Sequence, residues 1–243
     1  MHLGVILPNY GPGSSPDGIR EVALAAEEAG FDSIWTTEHI VVGPDAPEVY
    51  RRMYDSLLTL AWLAGQTQRI GLGTSILLLP LHDPFRLAKE AATLQELSGG
   101  RLTLGFGLGS QASEFELMGV PMRGRGKRAD ETIRLLRTLW AGELPDAFAE
   151  PHPSPAPEIW IGGASDRAVR RARELGDAWH PSGGVAPDDV RRVKEQHPEL
   201  RVFPRTTPDK LDAFLDAGAD GAVLTFADVA ALRAFERPGS PQT

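Results

Sequence analysis

The chain has 243 residues, 42% of them hydrophobic, with 33 acidic side chains against 25 lysines and arginines and a formal charge of -8. That composition fits a globular chain able to bury one sizeable core, and its acidic balance argues against nucleic acid as the main partner, because phosphates are held by basic surfaces. Zero cysteines exclude disulfides, thiolate metal sites and a cysteine nucleophile, and make a reducing cytoplasm the expected compartment. There is no apolar run long enough for a membrane span, and MHLGVILPNYG lacks the basic start and cleavage site of a signal peptide.

In chain order, Leu3 to Leu7 reads as a strand ending in the turn-rich Pro8-Asn9-Tyr10-Gly11. Asp17 to Ala29 follows as a helix with Ile19, Val22, Ala23 and Ala26 on one face and Gly30 as its stop. Phe31 to Thr37 is the second strand, running into Glu38-His39, a loop through Pro44 and Pro47, and a helix from about Tyr54 to Ala64. Ile70 to Leu79 is apolar throughout, as a strand buried on both faces must be. Pro84 then opens a helix whose stripe is Leu87, Ala88, Ala91, Leu94 and Leu97, stopped by Gly99-Gly100, and Arg101 to Phe106 is the next strand. Strands joined by a covering helix must be parallel.

Beyond Gly109 come a short helical turn at Glu114 to Met118, a helix from Ala129 to Trp140, and a connection from Gly142 to Glu158 with five prolines. The pattern resumes with a strand at Ile159 to Ile161, the loop Gly162-Gly163-Ala164-Ser165, and a helix from Asp166 to Leu175. A strand at Asp177 to His180, a helix from Pro187 to Gln196, a strand at Leu200 to Phe203 and a helix from Pro208 to Ala217 follow. Ala219 to Thr225 and a helix near Val229 to Phe235 complete it, with 1–236 expected as one domain and 237–243 as a disordered tail. EAGFD at 28–32 and DAGAD at 216–220 repeat one helix-to-strand turn in which glycine takes the left-handed conformation.

Strand–helix units repeated about eight times, at a length near the ~250 residues typical of the fold, predict a (β/α)8 TIM barrel. A doubly wound open sheet is the alternative, but GFGLGS at 105–110 has Ser110 where a dinucleotide fingerprint needs its third glycine. In parallel α/β folds ligands bind at the carboxyl ends of strands, where Thr74-Ser75 and Gly107-Leu108-Gly109 fall. Glu38 and His39 are the catalytic candidates, an imidazole that titrates near neutrality with an acid beside it to orient it. Gly162 to Ser165 is a candidate phosphate cradle, since the start of a helix presents free backbone N–H groups. Two basic clusters, Arg123, Arg125, Lys127, Arg128 and Arg167, Arg170, Arg171, Arg173, read either as solvated helix faces or as anion-steering groups. No HxH, HExxH or GxSxG is present, so neither a metal site nor a serine nucleophile elbow is expected.

Several blocks in order, LGVILPNYG, EEAGFDSIWTTEHIV, the stretch from Ile70 to Gly109, EFELMGVP, RADETIRLLRTLW and IWIGGASDRAVRRARELGDAWHP, resemble the luciferase-like monooxygenase superfamily, within it the branch that uses coenzyme F420. The resemblance implies a barrel with a deazaflavin or flavin ring over the strand ends and a non-prolyl cis peptide at Ser75-Ile76 against which the ring packs. It places His39 at the ring's reactive edge, Gly107, Leu108 and Gly109 beside it, the cofactor phosphate on Gly162, Gly163, Ala164 and Ser165, and Trp179 in the cofactor site. It implies hydride transfer between F420 and a small organic substrate, and a homodimer. An FMN-dependent monooxygenase is the alternative, and a non-catalytic flavin-binding barrel is a third reading. The chain departs from the pattern in three places: Ser110 replaces a carboxylate after the glycine loop, Val42 and Gly43 replace an aromatic residue after the histidine, and the covering segment between Trp140 and Ile159 is short.

Overall fold

The computed structural model describes residues 1–238. Eight strands, β1 (His2–Ile6), β2 (Ser33–Thr36), β3 (Gly71–Leu78), β4 (Leu102–Gly107), β5 (Glu158–Ile161), β6 (Ala178–Trp179), β7 (Arg205–Thr206) and β8 (Gly221–Leu224), form one parallel sheet in the order β6-β5-β4-β3-β2-β1-β8-β7. Its two ends meet where Trp179 pairs with Val202, in register with Trp179 N–H on the Arg201 carbonyl and Phe203 N–H on the Trp179 carbonyl. The expected TIM barrel is therefore the observed architecture. Nine helices accompany the strands: α1 (Pro16–Glu28), α2 (Ser56–Ala64), α3 (Pro84–Leu97), α4 (Ala112–Leu117), α5 (Arg125–Ala141), α6 (Asp166–Leu175), α7 (Pro187–Gln196), α8 (Leu211–Asp216) and α9 (Val229–Arg233), counted among the described residues.

Burial on both faces explains why the strand sequences hardly alternate. One apolar cluster fills the space between strands and helices, with Ile34, Leu72, Leu104 and Ile159 against Leu60, Leu87, Ile133 and Ala172. A second, of Ile6, Trp35, Trp160, Ala178, Phe203 and Val223, packs the barrel interior. There Trp160 stacks on Phe203 with ring centroids 4.3 Å apart, and Trp35 lies 4.7 Å from Trp160. Gly73 makes room for this packing, since a Cβ there would run into the Trp35 ring.

Three elements differ from the sequence reading. Leu200 to Phe203 contributes only the Val202 bridge, and the strand that pairs with β8 begins after Pro204, which lacks an N–H to donate to the ladder. Helix α5 starts a turn early, at Arg125, because Gly124 at φ +78° supplies the turn before it. The helix expected from Pro208 begins as a tight turn at Pro208–Lys210 and becomes α-helical only in α8. Arg237, placed in the tail by the sequence reading, donates to the Gly30 carbonyl and pairs with Asp32 at 2.8 Å; residues 239–243 lie outside the described residues.

Candidate active site

The carboxyl ends of the strands open into a cavity of about 700 Å³. Of the residues singled out from sequence, Glu38, His39, Ser75, Ile76, Gly107, Leu108, Gly109, Gly162, Gly163 and Ser165 line it, while Ala164 and Trp179 do not. Trp179 is a buried core residue whose indole N–H donates to the Gly163 carbonyl at 2.8 Å, so it supports the loop from beneath. The floor is made by β3, whose register against β4 shifts between Thr74 and Leu77 around the cis peptide Ser75-Ile76. Ile76 is thereby pushed up between Gly107 and Gly162, and a Cβ on either would collide with its side chain.

Glu38 does not orient His39. Its Oε2 accepts from the Leu78 amide at 2.7 Å and from His82 Nε2 at 2.9 Å, so it fixes the end of β3. Burial works against a charged His82 ring, but the hydrogen bond and charge of Glu38 outweigh it and raise the His82 pKa. The partner of His39 is Glu114 on α4, which is 1% exposed. Its Oε2 lies 2.7 Å from His39 Nδ1, and its Oε1 accepts from the amides of Ile40 at 2.7 Å and Val41 at 3.4 Å. A carboxylate taking two amides is held as an acceptor, so Nδ1 carries a proton, and in the neutral ring Nε2 is the nitrogen that keeps the lone pair. The Tyr50 ring packs on the His39 ring at 4.4 Å. A carboxylate from α4 and the aromatic ring of Tyr50 thus both lie against His39.

Beneath the floor, His180 is fully buried. Burial lowers its pKa to about 4, with the charges of Arg205 and His2 acting in the same direction and the Phe203 carbonyl opposing them. Its Nδ1–H donates to that carbonyl at 2.6 Å, so Nε2 accepts from the Ser75 hydroxyl at 2.8 Å. Arg205 reaches the cavity from β7 and donates to Thr37 Oγ1 at 3.1 Å, to the Ser75 carbonyl at 3.4 Å and to the Tyr10 hydroxyl at 2.8 Å.

At the side of β5 the cavity is basic. Arg125 and Lys127 from one sequence cluster, and Arg167 and Arg171 from the other, line it, and Glu38 is the one acidic side chain among the lining residues. Arg171 pairs with Asp130, whereas Arg125 has a buried Nε with no partner among the described residues. Ser165 caps α6 through its side chain on the Ala168 amide. Gly162 donates its N–H to the Phe106 carbonyl and so belongs to the sheet, but the N–H groups of Gly163, Ala164 and Ser165 have no acceptor among the described residues. Cations and free amides at a helix start, lining one cavity, are the groups that hold an anion. Among the described residues no group of three or more His, Asp or Glu side chains could hold a metal, and no helix is long and apolar enough to cross a membrane.

Residues 1–200 match the family model described as luciferase-like monooxygenase. The chain belongs to that family. Among its relatives, an uncharacterised protein of Mycobacterium tuberculosis is 32% identical over 203 residues, 74% of this chain and 70% of the relative. An F420-dependent glucose-6-phosphate dehydrogenase of Kineococcus radiotolerans is 31% identical over 192 residues, 72% of this chain and 55% of that one. The oxygenase component of a flavin-dependent trigonelline monooxygenase of Acinetobacter baylyi is 31% identical over 159 residues, 60% of this chain and 42% of its own length. An F420-dependent secondary alcohol dehydrogenase, solved with an F420–acetone adduct, shares the fold with a TM-score of 0.81 at 16% identity and 96% coverage of each chain. The luciferase-like family thus joins F420-dependent oxidoreductases and flavin monooxygenases, and the strand ends of this barrel are where their common architecture keeps its ligand side.

Glu114, Tyr50, Arg205 and Tyr10 were not singled out from sequence. The partner of His39 lies 75 positions further on, and nothing in hydrophobic periodicity pairs residues so far apart. Glu114 entered the sequence reading as the start of a short helical turn and within the block EFELMGVP of the family resemblance, and neither pointed to His39.

Proposed function

We propose that this chain is an oxidoreductase that uses coenzyme F420 to transfer a hydride to or from a small organic substrate, working at the cavity over Ser75-Ile76. The observation that carries the reading is that one cavity holds two separate kinds of group: an imidazole backed by a buried carboxylate, and a cluster of cations with free amides. F420, when bound, would supply the two-electron chemistry that no side chain of this chain carries. Arg125, Lys127, Arg167 and the amides of Gly163 to Ser165 would hold its anionic groups, while Ile76 and Gly107 to Gly109 would face its ring. His39 would hold or accept a proton at Nε2, with Glu114 fixing the tautomer. The F420-dependent relatives support this assignment of the cofactor.

FMN is the second reading, favoured by the flavin-dependent relative, because a phosphate cradle accepts either cofactor. The two separate in turnover. Protein loaded with reduced F420 and mixed anaerobically with a panel of small ketones and aldehydes, or oxidised F420 with the matching alcohols, is expected to change the cofactor's absorbance at a rate that depends on substrate. Turnover that requires reduced FMN and oxygen would overturn the F420 reading; loading without turnover in either format would favour the non-catalytic barrel.

A further inference from the structure

We propose that Arg205 recognises an anion at the inner end of the cavity, and that the substrate placed there carries a carboxylate; this rests on the oxidoreductase reading above. Arg205 lines the cavity, and the groups it contacts, Thr37 Oγ1, the Ser75 carbonyl and the Tyr10 hydroxyl, are all neutral. Among the described residues it forms no ion pair. A guanidinium has five N–H donors in a planar fork, so these three bonds leave donors unused, and a charge partly withdrawn from water without a counter-charge is costly. Nor can the neighbouring His180 supply a counter-charge, because an imidazole is never anionic here and both its ring nitrogens are engaged, by the Phe203 carbonyl and the Ser75 hydroxyl.

Position separates this cation from the others. Arg125, Lys127, Arg167 and Arg171 come from α5 and α6, next to the free amides, so an anionic cofactor already has its partners there. Arg205 is joined to the catalytic candidate instead: it lies over the Tyr10 ring, Tyr10 is 6.5 Å from Tyr50, and Tyr50 is 4.4 Å from His39. Thr37, which Arg205 contacts, immediately precedes Glu38-His39. A planar carboxylate held in the fork would leave the remainder of the molecule in the cavity that His39 also lines.

The test uses benzoate and its neutral isostere benzamide as probes, titrated calorimetrically into cofactor-loaded wild-type protein, Arg205→Gln and Arg205→Lys. Wild type is expected to bind benzoate at least about tenfold more tightly than benzamide, the lower range of a charge-assisted pair. Arg205→Gln should abolish that preference without changing cofactor affinity, and Arg205→Lys should keep part of it. A brace that merely ties β1, β2 and β3 together would not discriminate between the two probes. Equal binding of both, binding of neither, or a preference that survives in Arg205→Gln would overturn the proposal. So would a loss of cofactor affinity in Arg205→Gln with no effect on the preference, since the anion would then belong to the cofactor. If the protein loads neither F420 nor FMN, the oxidoreductase reading fails separately, and the same pair of probes on the unloaded protein still decides the role of Arg205.

Discussion

Replacing Glu114 by glutamine tests the His39 pair with almost no change in shape. The side chain then has one oxygen and one NH2 group for three donors: the amides of Ile40 and Val41 and the Nδ1–H of His39. If the oxygen faced His39, the NH2 group would confront the Ile40 N–H at 2.7 Å, donor against donor. The oxygen therefore stays with the two amides and the NH2 group turns to His39, which forces the proton from Nδ1 to Nε2. Nε2 loses its lone pair, and the proton-accepting function goes with it. General base catalysis and tautomer control put the loss of turnover between about 100-fold and 10,000-fold. Stability changes less: hydrogen bonds to a charged acceptor exceed neutral ones by about 1 kcal/mol each, and removing a buried charge offsets part of this. A net loss of about 1–2 kcal/mol would lower the melting temperature by about 4 °C. Steady-state kinetics and thermal denaturation of the variant measure both, with cofactor affinity as a control. Wild-type turnover in a folded Glu114→Gln protein would refute the tautomer argument, and a loss accompanied by failed cofactor binding would make Glu114 structural.

Because burial holds His180 at a pKa of about 4 against 6.5 unfolded, its contribution to stability is complete above pH 6.5 and is lost as pH falls towards 4, by about 3 kcal/mol over that window. Urea denaturation of His180→Gln across the same range should show a shallower dependence, and an unchanged slope would contradict the assignment. A Cβ at Gly105 would overlap the Thr74 carbonyl oxygen, whereas at Gly107 it meets only the flexible end of Ile76. Gly105→Ala should therefore cost about 2–3 kcal/mol in urea, while Gly107→Ala should fold and lose cofactor affinity. Arg125→Ala should weaken the anionic cofactor by about tenfold and flatten the salt dependence of its binding, as a removed charge-assisted contact would.

The fold was largely legible because apolar runs, helix stripes and stop glycines are local signals. Pro187 to Gln196 and Asp166 to Leu175 have the bounds read from sequence, since a proline at one start and a serine cap at the other mark where each helix begins. Leu200 to Phe203 misled because its apolar pattern is real, yet Pro204 moves the ladder to Arg205. At the site, strand ends and glycines were readable, as were the basic clusters, of which Arg125, Lys127, Arg167 and Arg171 reach the cavity. The pairing of acids with histidines was not. Glu38 is adjacent to His39 in sequence but turns to Leu78 and His82, and Glu114 reaches His39 only after β3, α3 and β4 have been laid between them. Arg205 lacks a local signal altogether, being a single arginine in a short strand.

The most direct measurement is a parallel titration of the purified apoprotein with F420 and with FMN, followed by tryptophan fluorescence, to which Trp179 beneath the Gly163 carbonyl is well placed to respond. The account predicts saturable quenching by F420 at much lower concentration than by FMN. Quenching by FMN alone, or by neither, would contradict it.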